Sequence, residues 1–174
     1  MTESSADSFP APGSGAIRRN WRLGLRLIFG SFWLADAILK WELTLQNVDY
    51  ADVIAQAASG QPPLISSWVN FWAGIAKATP NFSILIAVLE TIIAIFILLG
   101  FLTKLTSISG IAFSFLIWST AEGFGGMFEN GATDIGTSPL YMAMFAGLIV
   151  VQGGKQHGLD GWLASRFPRL DFLL

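Results

Sequence analysis

One stretch constrains this chain more than any other. Asn81 to Leu102 is an almost unbroken run of Ile, Leu, Val, Ala and Phe, with a single carboxylate, Glu90, near its centre. A helix rises about 1.5 Å per residue, so roughly 20 such residues cross the ~30 Å of a bilayer's hydrocarbon. The run therefore reads as a membrane-spanning helix. A charged, unpaired carboxylate near the bilayer centre costs roughly 2.5 kcal/mol or more. Glu90 must then be neutral, paired or exposed to a cavity. Arg26 lies in the cytoplasmic half of an earlier apolar segment and is a geometrically open partner. Three roles stand for Glu90: a glutamate–arginine link that specifies helix arrangement, a proton-exchanging carboxylate, or an intersubunit contact.

The rest of the chain has the same character. It is 53% hydrophobic and 13% charged with mean hydropathy +0.57, against roughly 25% charged in an average soluble domain. The expected fold is all-α, an integral membrane four-helix bundle. Residues 1–17, rich in Ser, Pro, Gly and Ala, are expected to form a disordered tail. Spans are expected at about 23–41, 81–102, 105–120 and 138–152 within a membrane domain of residues 18–152, followed by an amphipathic tail at 153–174. The fourth span is short, so it extends at its ends or the loop before it dips into the membrane.

Between the first two spans lies a long connection with two apolar-periodic pieces, separated by Ser59-Gly-Gln-Pro-Pro63. In the second piece Leu64, Ile65, Trp68, Val69, Phe71, Trp72, Ile75 and Ala76 recur at helical spacing. Two readings fit: an amphipathic helix lying in the interface, and a helix packed on its own bundle.

Lys and Arg set the orientation. Arg18, Arg19 and Arg22 flank the first span, Lys104 sits in the turn between the second and third, and Lys155, Arg166 and Arg169 follow the fourth. Both termini are expected to be cytoplasmic in the cell's inner (plasma) membrane, with the long connection outside. The chain has no cysteine and one histidine, His157. Disulfides, thiolate metal sites and a bis-histidine haem within one chain are therefore excluded. No basic stripe points to nucleic acid.

The stretch Ala121 to Gly136 carries three carboxylates, Glu122, Glu129 and Asp134, and five glycines between two apolar segments. It reads either as a helix cap with tight turns, in which Glu122 and Asp134 satisfy backbone N–H groups, or as a wet acidic mouth for a ligand or partner. The spacing does not match an EF-hand calcium loop, and no metal ligand set is assigned. In the first span, Asp36 and Lys40 are spaced i, i+4 and can touch.

These residues carry a resemblance. Arg26 and Gly30 with Lys40, then Glu90 followed by Leu98-Leu-Gly-Phe-Leu-Thr-Lys104, resemble the DoxX family of small four-helix membrane proteins. The run Glu122-Gly-Phe-Gly-Gly126, with Gly131-Ala-Thr-Asp-Ile-Gly136 and Tyr141, is similar to its DoxD branch, the membrane subunit of thiosulfate:quinone oxidoreductase. The likeness covers roughly residues 21 to 152. Asp36 departs from it, standing where a small residue or histidine is expected.

The resemblance implies a membrane subunit of a quinone-linked oxidoreductase acting on a sulfur compound. Quinone is the implied cofactor, with Glu90, Glu122 and Asp134 as proton-exchanging carboxylates. Arg26, Asp36, Lys40, Trp118, Phe124, Thr133 and Tyr141 are the candidate substrate- or quinone-binding residues. An aromatic run at this depth also serves as an interfacial belt. The expected partners are the bilayer, an outer-facing protein or second subunit, and further copies of the chain. The alternative is a non-enzymatic membrane anchor or assembly factor for a peripheral redox or metal-handling enzyme. A proton-coupled carrier, switched by Glu90, is a third reading.

Overall fold

The computed structural model describes residues 14–128, 131, 133–151, 153–155 and 157–174, and the side chains of 14–19, 170 and 171 fall outside the description. Residues 1–13 of the expected tail, and Glu129, thus lie outside the described residues. Among the described residues every regular element is helical. In order these are α1 (Ser14–Leu45), α2 (Tyr50–Gln56), α3 (Pro63–Ala78), α4 (Phe82–Leu99), α5 (Thr103–Ser119), α6 (Ser138–Val151) and α7 (Leu159–Arg166). Short 3₁₀ turns occupy Gly123–Gly126 and Pro168–Leu173.

Local chemistry explains the boundaries. The first helix runs four residues past the expected end of its span and stops where Asn47 takes a left-handed conformation (φ 58°), which asparagine tolerates better than most residues. Asp49 caps α2 by accepting a bond from the Ala51 N–H at 2.9 Å. Pro62 and Pro63 begin α3, where a missing N–H costs nothing. Gly100 ends α4 at φ 62°, with the Phe101 N–H reaching the Phe96 carbonyl and the Gly100 N–H that of Ile97, a Schellman closure. Leu102, also left-handed, completes the corner into α5.

Helix α1 packs along α4, and α5 along α6; smaller contacts join α4 to α5 and α1 to α6. Two apolar cores result. One gathers Phe29, Trp33, Ala94, Ile97, Phe145 and Leu148 from α1, α4 and α6. The other seats the α2–α3 pair over Ile86 of α4. Gly110 lets α5 approach the Phe145 ring so closely that any side chain there would strike it.

A polar knot ties one end of the molecule. Arg26 donates to the Gly153 carbonyl at 3.0 Å and the His157 carbonyl at 2.7 Å. The fully buried Asp160 accepts from the Thr103 N–H at 2.9 Å and so caps α5 from a distant part of the chain. Its own N–H binds the Gly100 carbonyl at 2.8 Å. The start of α1, the α4–α5 corner and the end of α6 therefore meet at one end.

Much apolar surface remains uncovered. Phe32 and Ile38 on α1, Ile95 on α4, Phe115 on α5 and Val150 on α6 are all exposed. Helix α4 is the one described helix long and apolar enough to cross a membrane, yet only 33% of it is buried inside the chain. A soluble protein's core helix of this composition would be mostly enclosed.

Candidate functional site

The helix period of α1 puts Asp36 and Lys40 on one face, with Lys40 Nζ 4.0 Å from Asp36 Oδ1. The α1–α4 packing then brings Glu90 within 3.8 Å of the same ammonium. That is ion-pair range but longer than a hydrogen bond. Among the described residues neither Glu90 oxygen has a hydrogen-bond partner, and the side chain is wholly buried. On the next residue of each helix, Trp41 Nε1 donates to Thr91 Oγ1 at 2.9 Å, and that hydroxyl donates to the Ala87 carbonyl at 2.7 Å. This link pins α1 against α4 beside the ion pair.

One of the chain's two tyrosines, Tyr50, flanks the pair, and the other, Tyr141, lies on α6. Tyr50, at the start of α2, lies with its ring centroid 5.4 Å from Lys40 Nζ, within cation–π range. Tyr141, on α6, packs edge-on against Trp33 at 5.1 Å. Glu90, Asp36 and Glu122 all act electrostatically on both tyrosines. Burial first, and then those three carboxylates, push the Tyr50 phenol well above its ordinary value. Tyr50 therefore stays a neutral O–H donor at any physiological pH.

An apolar cavity of about 230 Å³ adjoins Tyr50, between α2–α3 on one side and α4–α5 on the other. Trp72, Phe82, Leu85, Phe113 and Leu116 form most of its wall.

The structure sorts the sequence candidates into three groups. Asp36, Lys40 and Glu90 converge, and Tyr141 packs on Trp33, about one turn before Asp36 on α1. Arg26 does not join them: its guanidinium is engaged at the polar knot, so Lys40, not Arg26, is the partner of Glu90. The reason is register, because Arg26 meets α4 near Gly100 rather than near Glu90. The loop candidates form the third group. Glu122 accepts from Thr137 Oγ1 at 2.7 Å, Ser138 Oγ at 2.9 Å and the Ser138 N–H at 3.3 Å, and so caps α6. Asp134 is exposed, and its Oδ1 accepts from the Ile135 and Gly136 N–H groups. Trp118 Nε1 donates to the Ile135 carbonyl at 2.7 Å, and Phe124 stacks edge-on to Trp118 at 5.1 Å. Thr133 is exposed. Glu122, Asp134, Trp118 and Phe124 thus hold the loop's own shape. Among the described residues no three His, Asp or Glu side chains converge as a metal site would need.

Sequence reasoning missed Tyr50, Thr91 and Asp160. For Tyr50 a signal existed, since Asp49 is a good N-cap and fixes where α2 begins. Nothing local marks Asp160 as buried.

A family model described as TQO small subunit DoxD matches residues 63–172. The chain belongs to the DoxD family. The match takes in Glu90, Glu122, Asp134, Tyr141 and Asp160, while Asp36, Lys40 and Tyr50 precede it. No curated protein and no solved structure matches the chain. As a DoxD protein it is membrane-associated, and a small subunit implies a protein partner. The Lys40–Glu90 pair of this DoxD chain joins α1 to α4 in the bundle interior.

Proposed function

We propose that this DoxD chain is the membrane subunit of a quinone-linked oxidoreductase acting on a sulfur compound, as the family description suggests. In this reading α1, α4, α5 and α6 are four spans, with both termini cytoplasmic and α2–α3 on the outer side. The exposed apolar faces of these helices and the small buried share of α4 support it. The single observation that carries the chemistry is Glu90. It is a fully buried carboxylate with spare lone pairs, one ammonium beside it and a neutral phenol near it.

Quinone, when bound, supplies the two-electron acceptor and takes up two protons on reduction. The residues suit that group: Tyr50 is a protonated donor at the edge of an apolar cavity, and Lys40 is a second donor. Glu90 would hold a proton at Oε1 or Oε2 and release it towards the quinone oxygen twice per turnover, being reloaded between the two transfers, while Tyr50 and Lys40 donate hydrogen bonds only. Lys40 would stabilise the carboxylate left behind, and Asp36, 4.0 Å from the same ammonium, would pass on its replacement. No residue of the chain is itself a redox centre, so the electrons come from the sulfur compound directly or through the partner.

The test is thiosulfate-dependent quinone reduction by the purified complex, comparing Glu90→Gln with the parent. A fall in turnover of about a hundredfold or more, the scale of losing a positioned acid–base group, supports the reading. Undiminished turnover removes Glu90 from the chemistry, and a purified complex that reduces no quinone refutes the oxidoreductase reading and favours the anchor, a role to which a loop that commits Glu122 and Asp134 to its own turns is also suited.

A further inference from the structure

We propose that the cavity beside Tyr50 seats the hydrocarbon tail of the quinone, with the ring of Tyr50 as the partition between that tail and the Lys40–Glu90 pair. This rests on the quinone reading above. Four observations carry it.

The cavity holds about 230 Å³ and its wall is almost entirely carbon, from residues such as Trp72, Phe82, Phe113 and Leu116. A space so lined gives water no partners, and it is a natural host for hydrocarbon. Next, three lining residues, Ile75, Leu85 and Leu89, are also exposed on the outer apolar surface of α3 and α4. In the four-span reading the cavity therefore borders, along Leu85 and Leu89 of α4, the surface that meets lipid, and a hydrocarbon chain reaches it from the bilayer. Third, Tyr50 belongs to both places. Its ring lines the cavity and stacks on Phe82 at 6.3 Å, while Lys40 Nζ stands 5.4 Å from its centroid.

Charge decides the head group. One ammonium lies between two carboxylates, Asp36 and Glu90, with Glu122 acting at longer range. With Glu90 protonated, Lys40 is balanced by Asp36, so no net positive charge is left to hold an anionic head such as a phosphate, whereas a neutral carbonyl needs only hydrogen-bond donors. A neutral head on an apolar tail therefore fits better than a phospholipid.

The experiment uses the full-length protein with its partner in lipid nanodiscs. A benzoquinone carrying a ten-carbon tail with a terminal diazirine is photolysed, and labelled peptides are mapped. A phospholipid with a diazirine acyl chain is run in parallel. The expected label falls on the segments holding Leu85 and Leu116. It drops about tenfold in Leu116→Trp and in Leu85→Phe, the scale set by displacing one buried side chain's worth of apolar contact. Label elsewhere in the wild-type protein overturns the proposal. So does equal labelling by the phospholipid, or labelling unchanged in both variants. If the wild-type label falls as expected but no quinone is reduced, the tail site stands and the oxidoreductase reading fails. Quinone turnover with label elsewhere does the reverse: the oxidoreductase reading stands and the tail site fails.

Discussion

Lys40 Nζ and Glu90 Oε1 stand 3.8 Å apart in the interior, on two different helices, with the glutamate completely buried. Removing one member of such a pair strands the other, and that typically costs about 3–5 kcal/mol. We expect Lys40→Ala and Glu90→Ala each to destabilise the detergent-solubilised protein by this order. Lys40→Met combined with Glu90→Leu should be more stable than either single change, yet inactive with quinone. Denaturant-induced unfolding of the three variants checks this, and strictly additive losses would show that the two groups are uncoupled.

Glu122 reaches three groups at the start of α6. Glu122→Ala should lower stability by about 1–2 kcal/mol, the worth of a lost helix cap, and raise hydrogen exchange at the first amides of α6. Glu122→Gln keeps an acceptor and should lose less. A large fall in activity for Glu122→Gln with unchanged exchange would instead return Glu122 to the chemistry.

Asp160 is buried and holds the Thr103 N–H, while Gly154 packs so tightly on its carboxylate that no side chain fits. Asp160→Ala should cost at least about 1–3 kcal/mol, because it leaves a buried donor unpaired. Gly154→Ala should produce a similar loss without touching any charge. Thermal melts of both, with quinone activity normalised to folded protein unchanged, would confirm a structural lock distant from the Lys40–Glu90 pair.

Tyr50 provides a pH test. Its phenol holds its proton more tightly in the folded protein than in the unfolded chain. The folded state therefore binds more protons above the ordinary tyrosine value of about 10. The stability it contributes is complete below pH about 10 and declines as pH rises beyond it, by at most about 1.4 kcal/mol per unit. Tyr50→Phe should flatten that decline when melting is followed from pH 8 to 11. An identical slope in both proteins would exclude Tyr50 as its source.

What the chain's own order determined was local. Hydropathy and helical period mark α4, α5 and α6, because apolar periodicity depends only on neighbours along the sequence. The i, i+4 spacing of Asp36 and Lys40 is legible for the same reason, whereas the end of α4 at Leu99, three residues short of the expected Leu102, is set by the left-handed Gly100 that the apolar run masks. Tertiary structure decided every contact between helices. A helix presents several faces, and the axial register of α1 on α4 selects which face meets which. That register gave Glu90 to Lys40 and left Arg26 to the carbonyls of Gly153 and His157. It also turned Glu122 into a cap for a helix that begins sixteen residues later. The cavity beside Tyr50 arises the same way, since α2–α3 closes over α4–α5 where Phe82, Phe113 and Leu116 leave space that no local pattern foretells.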